Sequence, residues 1–331
     1  MNEVATALAD LARGVTYSEA TRRVQVNHLW DATEGAPEPS AVDGRLVANW
    51  LDRFAGAITT GYAETAWPQT LVLDSTEFMD TNVRTGEREQ LFTVLAAWGY
   101  PQGAKRGRLW ALEASPSDDL DAWLRFLRRL PGRPELVVYD SDKAIHSAVR
   151  RKWPTVPIHL CEHHLYVNAM KHLREDGQEG WGNTYRTLLA AAGQSPAGWA
   201  AFRRAVLAAP DLAKTGKWVR HWDRQLAAQT GRRAEIAPHY STGALDPHIS
   251  AVRQLLGRRA WTFRNLARMN ALLGLVRLHI NRRDVPADWS QLLAGHLQAR
   301  PAASTLVEKP VYLLDGSREY SLRKHPVPTK T

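Results

Sequence analysis

Cysteine is almost absent from this sequence of 331 residues, which contains only Cys161. A single thiol excludes a disulfide within the chain and is typical of proteins in a reducing compartment. The sequence also lacks any uninterrupted apolar run of about eighteen residues, so we expect no transmembrane helix and no membrane partner. Its first residues lack the basic and apolar segments of a signal peptide, and we therefore expect a cytoplasmic protein.

Acidic residues are outnumbered: 34 Asp and Glu stand against 43 Lys and Arg, which gives a net charge of +9 and a pI near 9.8. Lysine is scarce as well, with nine residues against 34 arginines. Arginine binds phosphate through two parallel hydrogen bonds, so this excess is compatible with a nucleic-acid-binding surface. A GC-rich genome would also enrich arginine, and the composition does not separate these two explanations.

The first 62 residues are predicted to be helical. Val4, Leu8 and Leu11 recur at helical spacing, and Gly14 separates them from a second helical segment over residues 19–24. A helix, a glycine-containing turn and a second helix form the layout of a DNA-binding helix-turn-helix, although any small pair of helices shares it. A linker rich in proline, glycine and acidic residues precedes a third predicted helix over residues 45–58.

From residue 67 onward the pattern predicts an α/β fold built on a mixed sheet. Three apolar segments come first, and two further strands follow, each after a helix. This order indicates an antiparallel meander followed by parallel crossovers, with helices flanking the sheet. The strands are predicted at residues 71–73, 90–97, 108–112, 136–139 and 156–160, the helices between them at 120–130 and 144–152, and further helices over 163–233 and 247–283.

Two aspartates directly follow predicted strands, Asp74 after residues 71–73 and Asp140 after residues 136–139. Neighbouring strands lie about 5 Å apart, so side chains at two adjacent strand ends can share a divalent metal. Carboxylate oxygens suit Mg²⁺ or Mn²⁺, and a pair of such ions promotes phosphodiester transfer. The alternative is that each aspartate only begins a turn, as aspartates at strand ends often do.

The segments around these aspartates resemble those of mutator-type (MULE-like) DDE transposases of bacterial insertion sequences. Residues 74–76 resemble the first catalytic segment, and residues 138–142, followed by a helix and Trp-Pro, resemble the second. Cys161 and His164 are similar to the C-x-x-H motif of that family, and residues 241–246 resemble the segment that ends in its third acid. The arginine-rich run that follows matches the closing helix of the family.

The resemblance implies an RNase H-like fold in which Asp74, Asp140 and Asp246 hold two Mg²⁺ ions, with Mn²⁺ as a substitute. It also implies cleavage of double-stranded DNA at transposon ends, strand transfer into target DNA, and a homo-oligomer on DNA at the nucleoid. The implied regions are an N-terminal helical region (1–62), the first part of the catalytic core (67–164), an all-α insertion (165–238), an acid-bearing closing helix (239–285) and a tail (286–331). The implied DNA contacts are Arg253, Arg258, Arg259, Arg264 and Arg268.

The third acid departs from the family pattern, because Asp246 stands where Glu is expected and Pro247 follows it. Asp before Pro is also an ordinary start of a helix, and the shorter side chain reaches about 1.5 Å less far. Asp246 is therefore interpreted either as a metal ligand or as a helix cap, with Glu235 as a weaker substitute. The cap alternative would favour a non-catalytic, decayed or domesticated transposase-derived DNA-binding protein, and a related RNase H-like nuclease is a further alternative.

Three other patterns allow two interpretations each. Asp142 is predicted to cap the following helix rather than to join Asp140. The histidines near Cys161 and His164 resemble a zinc site but lack a second pair of ligands, which favours a role of this motif in fixing the link to the insertion or in approaching DNA. The basic and aromatic runs over 214–224 and 253–268 fit either DNA binding or amphipathic helices with their aromatic residues in the core.

Overall fold

A computed structural model describes residues 1–32, 43–63, 67–81, 85–102, 104, 106–130, 132–178, 184–232, 242–257 and 265–299, and two short strands in the C-terminal tail. Its centre is a five-stranded sheet in the order β3-β2-β1-β4-β5. β1 and β2 and likewise β2 and β3 are antiparallel, whereas β4 is parallel to both β1 and β5. The predicted mixed sheet is confirmed. The strands are β1 (Thr70–Thr81), β2 (Arg88–Tyr100), β3 (Arg108–Ser115), β4 (Leu136–Tyr139) and β5 (Ile158–Leu160).

β1 is much longer than the predicted three residues. It continues past Asp74 and pairs with β2 up to Thr81, whereas β3 pairs with β2 only from Thr93 to Gly99. The far ends of β1 and β2 therefore form a two-stranded ribbon, in which Phe78 and Phe92 are opposite each other and stack with ring centroids 4.7 Å apart. The expectation that Asp74 ends its strand was wrong, because cross-strand packing continues β1 through a segment whose polar residues resemble a turn.

The helices lie on both faces and both edges of the sheet. They are α1 (Asn2–Ala12), α2 (Tyr17–Ala32), α3 (Arg45–Gly61), α4 (Leu120–Arg129), α5 (Lys143–Lys152), α6 (Glu162–Glu175), α7 (Thr184–Ala192), α8 (Pro196–Ala208), α9 (Ala213–Gly231), α10 (Asp246–Gly257), α11 (Leu266–Ile280) and α12 (Pro286–Ala299). A short 3-10 helix, Thr242–Ala244, precedes α10, and the tail strands are β6 (Pro310–Tyr312) and β7 (Arg318–Tyr320). None of the described helices combines the length and the apolarity needed to cross a membrane.

Alternation along β1 divides its side chains between two cores. Leu71 and Leu73 lie in the core that α4, α5 and the helices of the insertion cover, whereas Val72 packs with Val138 and Leu245 on the opposite face. Successive side chains of a strand point to opposite faces, so Asp74 belongs to the face of Val72. The segment that leads into α10 therefore covers the face of the sheet to which Asp74 belongs.

Side-chain amides cover the outer edge of β5. Gln225 of α9 donates to the Ile158 carbonyl at 2.8 Å, and Gln229 accepts from the Leu160 amide at 2.7 Å while it donates to the Leu160 carbonyl at 2.8 Å. Four residues of helix advance about 6 Å and two residues of strand about 6.6 Å, so the two glutamines match the strand repeat. Asn270 and Asn281 cover β3 in the same way, bonding the backbone of Ala114 and Leu109.

The insertion is helical over its described residues, as predicted: α6 to α9 occupy 162–178 and 184–232, with no strand in these ranges. Its described buried aromatic residues share a core with the sheet. Trp199, Phe202, Trp218 and Trp222 belong to the same buried cluster as β4 and α5. The core interpretation of the run 214–224 is thus confirmed for Trp218 and Trp222.

The N-terminal helices pack into the second large core, together with α11 and α12. Gly14 makes the turn between α1 and α2 with a φ of +95°, a conformation that favours glycine, and the Thr16 hydroxyl accepts from the Glu19 amide at the start of α2. The predicted helix, turn and helix are confirmed as secondary structure. That this pair binds DNA stays a prediction.

Candidate active site

Asp74 and Asp140 occupy equivalent positions just past the last paired residues of β1 and β4. Val72 of β1 pairs with Val138 of β4, and each aspartate follows its valine by two residues. Because parallel neighbouring strands are about 4.8 Å apart, the register brings the two residues together on the same face. The prediction is confirmed in that β1 and β4 are neighbours, with Asp74 within β1 and Asp140 immediately after β4.

The Asp74 carboxylate lies in an environment that favours its protonated form. Burial raises its pKa to about 7, with further contributions from the negative charges of Asp140 and Asp246. A hydrogen bond from the Ser75 amide, 2.8 Å from Oδ1, and the nearby His164 act in the opposite direction. Both other acids that the sequence singled out are thus near enough for their charges to act on Asp74.

Asp140 lies in a similar environment. Burial raises its pKa, and the charges of Asp142 and Asp118 raise it further, while the hydrogen bond from the Asp142 amide and the charge of His164 lower it. The Asp142 carboxylate accepts from the amides of Ala144 and Ile145, so its predicted role as the N-cap of α5 is confirmed.

Asp118 is an acidic neighbour that sequence reasoning missed. It follows β3, accepts a hydrogen bond from the Ser75 hydroxyl at 3.4 Å, and its charge acts on Asp140. The signal available in the sequence was a third aspartate shortly after a predicted strand, the same pattern that identified Asp74 and Asp140. The adjacent Asp119 has a different role, because its carboxylate caps α4.

Cys161 and His164 join the site to the segment before α10. Thr242 Oγ1 and His164 Nδ1 are hydrogen-bonded at 2.8 Å, and the buried Cys161 thiol is hydrogen-bonded to both residues. Burial raises the pKa of Cys161, but these hydrogen bonds outweigh it and lower the pKa to about 7. The hydrogen bond with Cys161 raises the pKa of His164 to about 9 against the effect of burial, and the carboxylates of Asp140 and Asp74 add to the increase.

Asp246 is the first residue of α10, and its side chain is exposed. The carbonyl of the preceding Leu245 accepts from the amides of His248 and Ile249, and the Leu245 side chain is fully buried against the sheet. Within the described part of the chain, no three His, Cys, Asp or Glu side chains are grouped closely enough to hold a metal ion. Whether Asp246 acts as ligand or as cap stays a prediction.

Of the five arginines predicted to contact DNA, the structure describes two. The exposed Arg253 lies two turns along α10 from Asp246 and donates to the Thr76 hydroxyl, which belongs to the same face of β1 as Asp74. Arg268 is ion-paired with Asp52 of α3 at 2.5 Å, so its guanidinium group already has a carboxylate partner. Arg258, Arg259 and Arg264 lie outside the described residues, as do Glu235, Trp261 and Phe263.

The family described as "Transposase, Mutator family" matches residues 62–236, just over half of the chain. These residues carry the sheet, both paired aspartates and the C-x-x-H motif. The chain is therefore a member of a transposase family. It belongs to the Mutator family, as the sequence resemblance predicted. The match ends before Asp246.

No curated protein matches the chain. Among solved structures, a chain of the "Drosophila P element transposase strand transfer complex" is 11% identical, and the match covers 89% of this chain and 80% of that chain. Its TM-score is 0.27, which is too low to carry an argument about fold or mechanism.

Proposed function

We propose that this protein is a DDE-type transposase with three aspartates, which cleaves and transfers DNA strands during transposition of a bacterial insertion sequence. The observation that carries the proposal is the equivalent register of Asp74 and Asp140 on neighbouring strands, under the segment that leads to Asp246. We further propose that the sheet is of the RNase H-like type, since three antiparallel strands are followed by two parallel ones in the order β3-β2-β1-β4-β5.

Asp74 and Asp140 would supply part of the proposed site for a divalent cation. Asp74 and Asp140 are partly buried carboxylates whose charges repel each other, and a cation between them would relieve that repulsion. Hard carboxylate oxygens favour Mg²⁺, with Mn²⁺ as a substitute, and Asp246 is the proposed third ligand. Two such ions, when bound, activate the attacking oxygen and stabilise the leaving one.

The chain's own residues would hold the DNA against these acids. Arg253 of α10 donates to Thr76, which lies two residues past Asp74 on β1. We propose that its guanidinium group contacts a phosphate flanking the scissile bond. The net charge of +9 supports an electrostatic attraction to the DNA backbone. The proposed partners are the double-stranded transposon ends and the target DNA, bound by a homo-oligomer in the cytoplasm at the nucleoid.

The proposed chemistry is two successive transfers at phosphorus. In the first, water attacks the phosphodiester at the transposon end, the P–O bond to the 3′ oxygen breaks, and a free 3′-hydroxyl remains. In the second, that hydroxyl loses its proton as it attacks a phosphodiester of the target, whose own 3′ oxygen leaves. No external energy source is required, because each P–O bond that breaks is replaced by one that forms.

A second candidate function is DNA binding without catalysis. Asp246 favours it, because an aspartate stands where the resemblance implies glutamate and its side chain is exposed at the first residue of α10. A decayed or domesticated transposase would keep the fold and the basic surface but lose the third ligand.

Asp140→Asn separates the two functions. With DNA carrying the terminal repeats that flank the gene and with Mg²⁺, we expect the variant to lose strand cleavage by orders of magnitude. We expect its DNA affinity to be unchanged or slightly raised, since a negative charge near the phosphates is lost, and to fall steeply with added salt. Asp121→Asn, an exposed aspartate of α4, is the matched control and should cleave like the parent.

Unimpaired cleavage by folded Asp140→Asn would overturn the catalytic proposal. Absence of cleavage by the parent with both Mg²⁺ and Mn²⁺, together with intact binding to the same DNA, would favour the non-catalytic candidate.

A further inference from the structure

Residues 242–245, which lead to Asp246, contact the rest of the protein at two points. Thr242 is fully buried, and its hydroxyl is hydrogen-bonded to His164 and to the Cys161 thiol. The Thr242 carbonyl accepts from the Leu245 amide at 2.8 Å, and the Leu245 side chain is fully buried with Val72 and Val138. Asp246 follows immediately, so the start of α10 is held by a polar contact on one side and an apolar contact on the other.

The polar contact leads directly to the other acids. The Cys161 amide donates to the Tyr139 carbonyl at 2.7 Å, and Tyr139 is the residue before Asp140. A short series of hydrogen bonds thus runs from the backbone beside Asp140 through Cys161 and His164 to Thr242. Three residues then lie between Thr242 and Asp246.

Thr242 carries no charge and does not belong to the proposed ligand set. Its hydroxyl is nevertheless buried and hydrogen-bonded, and a buried hydroxyl without such a partner would destabilise the folded protein. A valine would fill the same volume and pack as well. The hydroxyl therefore contributes a directional link between two elements that are far apart in sequence, which apolar packing alone would not supply.

We propose that Thr242 is a positioning residue, which sets the place of Asp246 relative to Asp140 by tying the start of α10 to the C-x-x-H motif. The proposal rests on the proposed function of Asp246 as the third acid. It assigns the C-x-x-H motif the task of linking β4 and β5 to the start of α10 around the acidic site, and the contact is the hydroxyl of Thr242 in the 3-10 helix that precedes α10.

The test compares Thr242→Val, which removes the hydroxyl at nearly constant volume, with Thr242→Ser, which keeps it. Thr230→Val is the matched control, because Thr230 is a buried threonine of α9 whose hydroxyl donates to the carbonyls of Leu226 and Ala227 in the preceding helical turn. Three quantities are measured in the full chain: hydrogen–deuterium exchange of amides 245–250, Mn²⁺ affinity by electron paramagnetic resonance, and strand cleavage with Mg²⁺.

We expect Thr242→Val to speed exchange at the start of α10 and to weaken Mn²⁺ binding about 10- to 100-fold, as loss of a contact that orients a ligand does. Cleavage should fall with Mn²⁺ affinity. Thr242→Ser should restore all three quantities towards those of the parent, and Thr230→Val should change none of them.

The proposal is overturned if Thr242→Val exchanges and binds Mn²⁺ like the parent, or if Thr242→Ser is as defective as the valine variant. A failure of the proposed function gives a different pattern, in which the parent binds no Mn²⁺ and Asp140→Asn does not impair cleavage. In that case the exchange comparison alone still decides whether Thr242 fixes the start of α10.

Discussion

Replacing Asp74 with asparagine removes a carboxylate whose pKa the folded protein raises from 3.8 to about 7, chiefly by burial. Asparagine keeps the shape of the side chain and an oxygen that can accept from the Ser75 amide. The substitution therefore tests mainly the free-energy cost of burying the negative charge of Asp74. In the folded protein without metal, that cost should appear as a dependence of stability on pH.

The sign follows from proton binding. Between pH 4 and pH 7 the folded protein retains the Asp74 proton that the unfolded chain has released, so the free energy of unfolding falls as pH rises through this window and levels off above it. At about 1.36 kcal/mol per pKa unit, the full shift corresponds to about 4 kcal/mol. Because Asp74 retains some solvent exposure, we expect about 1–2 kcal/mol, since screening by water reduces the effect.

We therefore expect Asp74→Asn to be more stable than the parent at pH 8 in EDTA and to approach the parent at pH 5. Thermal melting monitored by intrinsic tryptophan fluorescence at both pH values measures the difference, and a gain of about 1–3 °C at pH 8 matches the expected free energy for a chain of this length. Asp121→Asn is again the control, because it removes an exposed carboxylate.

Asp74→Asn should also lose Mg²⁺-dependent cleavage. Loss of cleavage together with higher stability would show that the carboxylate needed for activity destabilises the folded protein. An asparagine variant that melts at or below the parent temperature at pH 8 would refute the reasoning about burial. A gain of equal size at pH 5 and pH 8 would also refute it, since the effect would then not arise from the carboxylate charge.

Two further outcomes are expected. If Asp246 is a ligand, Asp246→Glu should keep or increase Mg²⁺-dependent cleavage and Asp246→Asn should lower it by orders of magnitude. If Asp246 is only a helix cap, Asn should be nearly neutral and Glu should lower stability by about 1 kcal/mol. Activity and melting temperature are measured for both variants, and an Asn variant as active as the parent would exclude the role as ligand. Gln229→Ala should lower the free energy of unfolding by about 2–4 kcal/mol in urea titrations, because it leaves both the amide and the carbonyl of Leu160 without their hydrogen-bond partner. Gln225→Ala removes one hydrogen bond to β5 and should lower the free energy of unfolding by less. Equal losses in the two variants would contradict this account of how α9 covers the edge of β5.

Much of the central fold could be predicted from the sequence because its signals are local. Apolar runs over residues 71–73 and 136–139 mark strands in any context that buries them, and the order of strands and helices restricts how they connect. Asp142 caps α5 through amides two and three residues away, so its role could be read from its neighbours alone. Asp74 and Asp140 could be singled out because each directly follows a predicted strand, and the pairing of Val72 with Val138 then brought the two positions together.

The tertiary structure decided what depends on distant partners. Thr242 meets His164 across 78 residues and Gln229 meets Leu160 across 69, and no local pattern distinguishes these side chains from other threonines and glutamines of the chain. The full length of β1 depended on its pairing with β2 rather than on its own apolar residues. The pKa of Asp74 depended on its burial in the folded protein, since desolvation is a property of the packed molecule and not of the aspartate.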